Sequence, residues 1–307
     1  MNYTLFKMRF LTPLHAGVKN LTDGGFSVNA DTLFSALCHM AQAEGGEHGV
    51  EDLTDEVRAG RLTLSDALPY IDGDLYIPKP IMRVEGTGDY GDKKMFKSLK
   101  YLPALLMPEY LSGDFDAGTE ISILDKLGVS DIRVRVALSE QPRPYHVGSF
   151  HFADNAGLYV IVGFKGEGRF VEFIEKLFTA LSYSGLGGKR TSGLGRFEVC
   201  RDDAGELGSM IADSSNCSKF MTLGVSMARP DELEAALTGA TYALTRRSGF
   251  VSSPDYSDSP VRKRDFYSFS AGSCFEYKFE GDVFDVSNGG RHPVYRYAKP
   301  MFLGIST

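Results

Sequence analysis

The sequence predicts an α+β fold, and the order of its periodic segments supports that class. Residues 3–11 alternate large apolar with polar or basic side chains, which is the pattern of a half-buried strand. Apolar residues recur at helical spacing in 29–46 and again in 168–185, and the apolar run at 157–164 indicates a central strand. This order is typical of a split βαβ unit, ferredoxin-like or RRM-like, rather than of a doubly wound parallel sheet.

Local signals set the limits of the other elements in this first unit. Asn29 or Asp31 can cap the first helix, and the glycine pair at 45–46 is expected to end it. Strand and turn residues fill 60–81, and 194–200 has the composition of a closing strand. From 84 to 118 turn residues mix with four lysines and the periodicity is lost. That loss predicts an inserted, partly mobile segment that projects from the domain.

Length and composition indicate two domains. A chain of 307 residues exceeds the usual size of one domain, and the polar, small-residue-rich stretch 201–217 predicts a linker. We therefore expect an N-terminal ferredoxin-like domain at 1–205 and a degenerate second copy at 206–307. The second part opens with a strand over 219–228 and a short helix within 230–239. Strand chemistry then recurs in 242–253, 265–279 and 294–305.

Charge and cysteine usage exclude several classes of protein. A net charge of −7 argues against a surface that binds nucleic acid everywhere, but it allows a local basic groove and faces covered by protein. Four separate cysteines without C-x-x-C spacing predict reduced thiols and neither a zinc knuckle nor a disulfide framework. Without a signal peptide or a membrane-length apolar run, a soluble, cytoplasmic protein is expected.

The most specific motif is the glycine-rich loop at 185–195, "GLGGKRTSGLG". It is not a P-loop, because Lys189 is followed by Arg190 and not by Ser or Thr. It is not a dinucleotide fingerprint either, because Arg190 occupies the place of the third glycine and the loop leads from a helix into a strand. Glycines let backbone N–H groups approach a polyanion, and the basic residues add charge. The loop predicts a phosphate-binding site, with a flexible turn as the alternative.

Two more basic clusters are less specific indications of a nucleic-acid-binding site. Arg246 and Arg247 precede "SGF", and "RKR" follows at 262–264, so this stretch is a candidate second half of a basic groove or an ordinary solvated loop. The lysines at 93–100 are better explained as a solvated, mobile loop.

Candidates for catalysis and for metal binding are few. His15 follows the first strand and could act as a general acid or base in metal-independent RNA cleavage, but the sequence places no second proton carrier beside it. A contact with backbone or RNA is the alternative for His15. Asp31 could be a metal ligand, although a helix cap explains it better. No metal-ligand spacing is present, so neither a metal nor a cofactor is expected.

Four blocks of sequence resemble one family in order and spacing. They are "FLTPLHAG" with "DTLFSALC", the loop "GLGGKRTSGLGRF", "RRSGFVSS" leading to "VRKRDFYSFSAGSCF", and "HPVYRYAKPMFLGI". The family is the RAMP-superfamily subunit of type III-A CRISPR effector (Csm) complexes that caps the five-prime end of the guide RNA. The loop alone marks the superfamily, and the C-terminal blocks indicate the narrower family. The resemblance implies two ferredoxin-like RAMP domains.

For function, the resemblance implies a noncatalytic subunit in antiviral defence. Such a subunit holds the five-prime handle of the CRISPR guide RNA (crRNA), docks on the large polymerase-like subunit and adjoins the first backbone RAMP subunit. It meets target RNA only indirectly. A thumb-like insertion in the family kinks the guide, and 84–118 is the candidate here. RAMP folds also support a metal-independent endoribonuclease that processes precursor crRNA, with His15 as acid or base, and that activity is the alternative function.

Carried onto this sequence, the resemblance implies a set of RNA contacts in three places: the end of the first strand, the glycine-rich loop and the C-terminal basic cluster. The RNA-binding candidates are His15, Gly185, Gly187, Gly188, Lys189, Arg190, Ser192, Arg247, Arg262 and Lys263.

Overall fold

The N-terminal part is organised around one antiparallel sheet. In the computed structural model, which describes all residues except 18–19, 85–89, 138–141, 167–168, 214–216 and 307, nine strands precede residue 204. They are β1 (Asn2–Phe10), β2 (Leu62–Leu64), β3 (Leu68–Ile71), β4 (Asp74–Pro78), β5 (Tyr101–Pro103), β6 (Gly128–Ala137), β7 (Arg143–Phe152), β8 (Ala156–Phe164) and β9 (Phe197–Asp203). Seven of them form the main sheet, in the order β5-β4-β3-β8-β1-β9 with β2 also paired to β8.

Seven helices are described. They are α1 (Ala30–Arg58), α2 (Tyr90–Ser98), α3 (Met107–Ser112), α4 (Ala117–Leu124), α5 (Arg169–Ser184), α6 (Gly205–Ala212) and α7 (Leu233–Leu237). Short 3-10 turns add Ala104–Leu106, Asp125–Leu127 and Arg190–Ser192. None of the described helices combines the length and the apolar character that crossing a bilayer requires.

The α+β class and the split βαβ order are confirmed. β1 lies between β8 and β9, and α1 and α5 are the two crossover helices of the ferredoxin-like unit. Both helices cover the same face of the sheet, where the rings of Phe6 and Phe178 stack with their centroids 4.5 Å apart. The predicted strands at 3–11 and 157–164 and the helix at 168–185 match β1, β8 and α5 within one or two residues.

The start and end of α1 differ from the prediction. Asn29 occupies the N-cap position, but its side chain makes no capping bond. Asp66, remote in sequence, accepts the Ala30 N–H at 2.7 Å and the Asn29 amide at 2.8 Å, and so caps the helix from outside. Asp31 is therefore not the cap. Gly46, at φ +64°, does break the helix as expected, but a second helical segment follows it directly.

The segment 84–118 is more ordered than a projecting insertion. Its described residues form α2, β5 and α3, and β5 pairs with β4 and so forms an edge of the main sheet. Apolar side chains along the segment are buried in the core beneath the sheet face opposite α1, namely Leu99, Leu102, Ala104, Met107, Tyr110, Phe115 and Ala117. The expectation of a mobile projection is therefore wrong for residues 99–117, because their apolar side chains are covered. The guide-kinking role of the segment stays a prediction.

The element that does extend from the domain is a hairpin that the sequence analysis missed. β6 and β7 pair with each other over ten residues each, and Phe150 of β7 also bridges to Leu14 after β1. Ile132, Val134 and Val136 are exposed along one face of β6, and Arg133 and Arg135 lie on the other. The alternation was present in the sequence, but it occurs on a strand that buries neither face.

The predicted linker at 201–217 is also wrong in part. β9 continues to Asp203, and α6 follows at once and buries Leu207 and Ile211 against the main sheet. Small residues make this stretch look like a linker, yet its spaced apolar side chains build an amphipathic helix.

The C-terminal part consists of small antiparallel sheets. Its strands are β10 (Lys219–Thr222), β11 (Leu244–Arg247), β12 (Phe266–Phe269), β13 (Cys274–Phe275), β14 (Val283–Asp285), β15 (Tyr295–Tyr297) and β16 (Phe302–Ile305). The largest sheet has the order β13-β10-β16 and shares a core with the N-terminal sheet through Met221 and Leu303. The Tyr297 hydroxyl accepts the Leu64 N–H at 2.7 Å, which ties β15 to β2. The division at 205/206 stays a prediction.

Candidate nucleic-acid interface

The glycine-rich loop, the end of β1, the start of α1 and β11 meet around one cleft. This loop cleft has a volume of about 430 Å³. Six of the predicted RNA-binding residues line it: His15, Gly185, Gly187, Gly188, Arg190 and Arg247. Residues that are more than 230 positions apart in sequence thus face the same space, so the structure brings the predicted N-terminal and C-terminal contacts together.

Close packing explains why the loop needs glycine. Gly187 has a φ of +87°, and a Cβ there would lie 2.6 Å from the carbonyl oxygen of His15. Gly195 has a φ of +77°, and a Cβ there would overlap the carbonyl oxygen of Leu186. The Gly188 N–H donates to the His15 carbonyl at 2.8 Å, and the Gly195 N–H donates to the Pro13 carbonyl at 2.9 Å. The glycines therefore fix the loop against the end of β1, and the alternative of a merely flexible turn is not what the structure shows.

This packing leaves part of the loop available for a ligand. The backbone N–H groups of Gly187 and Lys189 have no acceptor among the described residues. Lys189 adopts a left-handed conformation with φ +58° and places its ammonium group 4.9 Å from the centre of the Tyr145 ring on β7. The Arg190 guanidinium donates to the Ser184 hydroxyl at 3.3 Å and pairs with no described carboxylate. Ser192 is exposed at the end of the 3-10 turn.

His15 contacts both the glycine-rich loop and the β6–β7 hairpin. Its ring is only 8% exposed, its Nδ1 lies 2.6 Å from the Gly148 carbonyl oxygen of β7, and a Cβ on Gly188 would lie 2.7 Å from its Cδ2. Because a carbonyl oxygen can only accept a hydrogen bond, Nδ1 carries a proton and is the donor in this contact. Nε2 is the ring nitrogen left for a ligand.

Arg247 forms an ion pair that the sequence did not predict. Its Nε and Nη2 donate to the two carboxylate oxygens of Asp31 at 2.8 and 2.6 Å, and Nη2 also reaches the Thr32 hydroxyl at 2.9 Å. Arg296 donates to the same carboxylate through Nη1. Burial would raise the pKa of Asp31, but the two guanidinium groups outweigh burial and hold that pKa below its usual range.

The Asp31 cluster therefore joins the two parts of the chain. Asp31 is fully buried at the start of α1, whereas Arg247 and Arg296 come from β11 and β15. Because its two partners lie 216 and 265 residues downstream, no local pattern could have identified the pair. The Arg247 guanidinium lines the loop cleft, but its hydrogen bonds to Asp31 make it a structural residue first.

A second cleft continues from the first along α1. This helix cleft has a volume of about 390 Å³ and shares Ser35, His39 and Ser252 with the loop cleft. Lys263, a predicted RNA contact, lines it, together with Cys38 and His292. Burial lowers the pKa of Lys263, and the nearby Arg296 lowers it further. His39, at the junction of the two clefts, was not among the predicted residues.

Arg262 lies outside both clefts. Its guanidinium covers the exposed ring of Phe250 at 5.1 Å from the ring centre. Arg246 pairs with Asp265 at 2.6 Å, and Arg264 donates to the Asp285 carbonyl at 2.8 Å. Within the part of the chain that the structure describes, no group of three or more His, Cys, Asp or Glu side chains could hold a metal ion.

An antiparallel ferredoxin-like sheet with a glycine-rich loop packed against the end of its first strand defines a RAMP protein. Residues 7–198 match the family model described as the RAMP superfamily. Residues 215–305 match the model described as the CRISPR Csm4 C-terminal domain. The chain belongs to the Csm4 family of RAMP-superfamily CRISPR proteins.

Curated relatives agree over nearly the whole length. A protein of Mycobacterium tuberculosis (strain CDC 1551 / Oshkosh) called CRISPR system Cms protein Csm4 is 39% identical over 308 residues, which is 99% of this chain and 98% of the relative. A protein of the same name from Streptococcus thermophilus is 30% identical over 322 residues, 99% of each chain.

Solved structures agree in fold. A chain in the crystal structure of the Csm3–Csm4 subcomplex of the type III-A CRISPR-Cas interference complex superposes with a TM-score of 0.68 at 19% identity, covering 100% of both chains. A chain in the crystal structure of a Csm1–Csm4 cassette with cA4 gives a TM-score of 0.63 at 19% identity, covering 100% of this chain and 98% of that one.

Proposed function

We propose that this chain is a noncatalytic, cytoplasmic subunit that binds the five-prime handle of crRNA and helps to assemble a type III-A CRISPR complex. The observation that supports RNA binding most strongly is that the two cations of the glycine-rich loop have no carboxylate partner among the described residues. Lys189 and Arg190 keep their charge without a described carboxylate partner, in a chain whose net charge is −7. Such local positive charge attracts a phosphate backbone even in a chain whose net charge is negative.

The loop supplies two kinds of phosphate contact. The backbone N–H groups of Gly187 and Lys189 give directional donors, and the side chains of Lys189 and Arg190 give charge-assisted bonds. Single-stranded RNA also gains affinity from bases that stack on exposed aromatic rings, at about 1–3 kcal/mol per base. Tyr145, beneath Lys189, and the exposed Phe250 are the aromatic side chains closest to the proposed contacts.

The β6–β7 hairpin is a better candidate than 84–118 for the thumb that kinks the guide. It extends beyond the sheet, its Tyr145 lies beside the glycine-rich loop, and Ile132, Val134 and Val136 leave apolar side chains exposed on its outer face. Apolar side chains on such a hairpin can insert between bases, as wedges do in other nucleic-acid complexes.

Proposed protein partners follow from the relatives. Solved structures contain Csm4 with Csm3 and Csm4 with Csm1. We infer that this chain contacts a backbone RAMP subunit and the large polymerase-like subunit in the same way, and that it meets target RNA only through the guide. A net charge of −7 is compatible with such protein contacts.

One observation favours the alternative of a metal-independent endoribonuclease. The loop cleft contains two histidines, His15 and His39, together with Arg190. Two proton carriers and a phosphate-stabilising cation are the groups that metal-free RNA cleavage requires. Against it, His15 is buried and its Nδ1 is engaged by the Gly148 carbonyl.

A single assay separates the two functions. The chain, co-purified with its large partner where stability requires it, is mixed with end-labelled precursor crRNA in EDTA, and RNA retention and RNA length are followed together. We expect retention of intact RNA, weakened by salt. Discrete cleavage near the handle, lost in both His15→Ala and His39→Gln, would replace the proposal with the endoribonuclease.

A further inference from the structure

His39 is the one titratable side chain shared by the two clefts. It is half-buried on α1, and its ring has no hydrogen-bond partner in the described part of the chain. Arg190 of the glycine-rich loop lines the loop cleft with it, and Lys263 of the C-terminal part lines the helix cleft with it. The cations of the two clefts thus flank an imidazole that the fold does not otherwise use.

We propose that a phosphate group of bound RNA lies beside His39, between Arg190 and Lys263, and that the imidazole takes up a proton as the phosphate enters. The RNA path would then continue from the loop cleft into the helix cleft. This inference rests on the proposed RNA-binding function and adds a binding residue and a proton linkage to it.

The charges around His39 explain why the free protein keeps it neutral. Burial lowers its pKa, and Arg190 and Lys263 lower it further. The thiol of Cys38 stays neutral, because burial raises its pKa to about 12. Other charged or titratable groups come from every side of the two clefts: Asp31 and Glu51 on α1, His15 after β1, and Arg246, Arg247, Arg291 and His292 from the C-terminal part.

Most of these other groups are already compensated. Asp31 is shared by Arg247 and Arg296, Arg246 pairs with Asp265, and Arg291 pairs with Asp258 at 2.5 Å. Glu51 is largely exposed, and its carboxylate lies 3.5 Å from the His48 ring. The Nε2 of His292 lies 2.8 Å from the Ser253 hydroxyl. The charges that act on the His39 imidazole in the free protein are the two cations, Arg190 and Lys263. A phosphate placed between them offsets their positive field and favours the imidazolium.

Proton uptake by His39 makes the affinity for RNA depend on pH. Because RNA binding raises the pKa of His39, the complex holds more protons than the free protein between the two pKa values, and RNA binds more tightly as the pH falls through that window. Each unit by which RNA raises the pKa is worth up to about tenfold in affinity. Phosphodiesters stay ionised throughout this range, so the RNA backbone adds no slope of its own.

The test measures the affinity of end-labelled crRNA for the full chain, or for its complex, between about pH 8 and about pH 6 at constant ionic strength. The variants are His39→Gln and His48→Gln. His48 lies on the same helix but is 93% exposed and outside both clefts, so it is the matched control. We expect the wild type and His48→Gln to tighten severalfold on acidification and His39→Gln to lose most of that gain.

A second measurement reads the proton directly. NMR titration of the histidine ring signals, with His39 assigned by its absence in His39→Gln, should show a higher His39 pKa with RNA than without it. RNA that binds with the same pH slope in the wild type and in His39→Gln would overturn this inference and leave the proposed function standing. Failure to bind RNA at any pH would overturn both.

Discussion

The glycine-rich loop and the C-terminal basic segment carry similar charge in the sequence but differ in what their cations contact. In the loop, Lys189 lies over an aromatic ring and Arg190 contacts a hydroxyl. In the C-terminal segment, Arg246 and Arg247 are bound to Asp265 and Asp31. The first region keeps its charge for a ligand, whereas the second uses the charges of Arg246 and Arg247 in ion pairs and leaves only Lys263 facing the helix cleft. A basic run in a sequence therefore measures charge, and only the fold decides how much of that charge is free.

Removal of Asp31 tests the structural half of this comparison and should have the largest effect. Asp31→Ala leaves the buried guanidinium groups of Arg247 and Arg296 without their shared carboxylate, so we expect unfolding to require about 3–5 kcal/mol less. Denaturant titration of the purified chain measures this loss. Asp265→Ala, which frees only the exposed Arg246, is the control and should change stability little. Equal effects of the two changes would show that the Asp31 cluster does not join the two parts.

Substitution of glycines in the glycine-rich loop should have a smaller effect on the free energy of unfolding. Gly195→Ala places a Cβ on the Leu186 carbonyl at a positive φ, and we expect a loss of about 3 kcal/mol in the free energy of unfolding. Gly193 has a similar φ of +81° but open space around it, so Gly193→Ala should cost only about 1 kcal/mol. Thermal or denaturant unfolding of both variants distinguishes packing from conformational preference. Similar losses would indicate that close packing against β1 is not what selects glycine at 195.

The sequence predicts the ferredoxin-like unit well, because β1 and α5 carry a clear period and β8, which is buried along both faces, is a continuous apolar run. It misplaces Asp31, since a carboxylate at a helix start fits a cap and a remote ion pair equally well. The β6–β7 hairpin was missed although Ile132, Val134 and Val136 alternate with arginines. His39 and Arg296 carry no local signal, because their surroundings come from three separate parts of the chain.

The most direct test of the account compares two double variants that each remove two positive charges. Lys189→Ala with Arg190→Ala removes the free cations, and Arg229→Ala with Arg264→Ala removes cations of the C-terminal part that are already bound and lie outside both clefts. RNA affinity is measured against salt concentration for both variants and for the wild type. The plot of log K against log salt has a negative slope. If the loop contacts two phosphates of a single strand, the loop variant should make that slope shallower by about 1.4. The C-terminal variant should keep the wild-type slope; equal changes in the two, or none in the loop variant, would contradict the account.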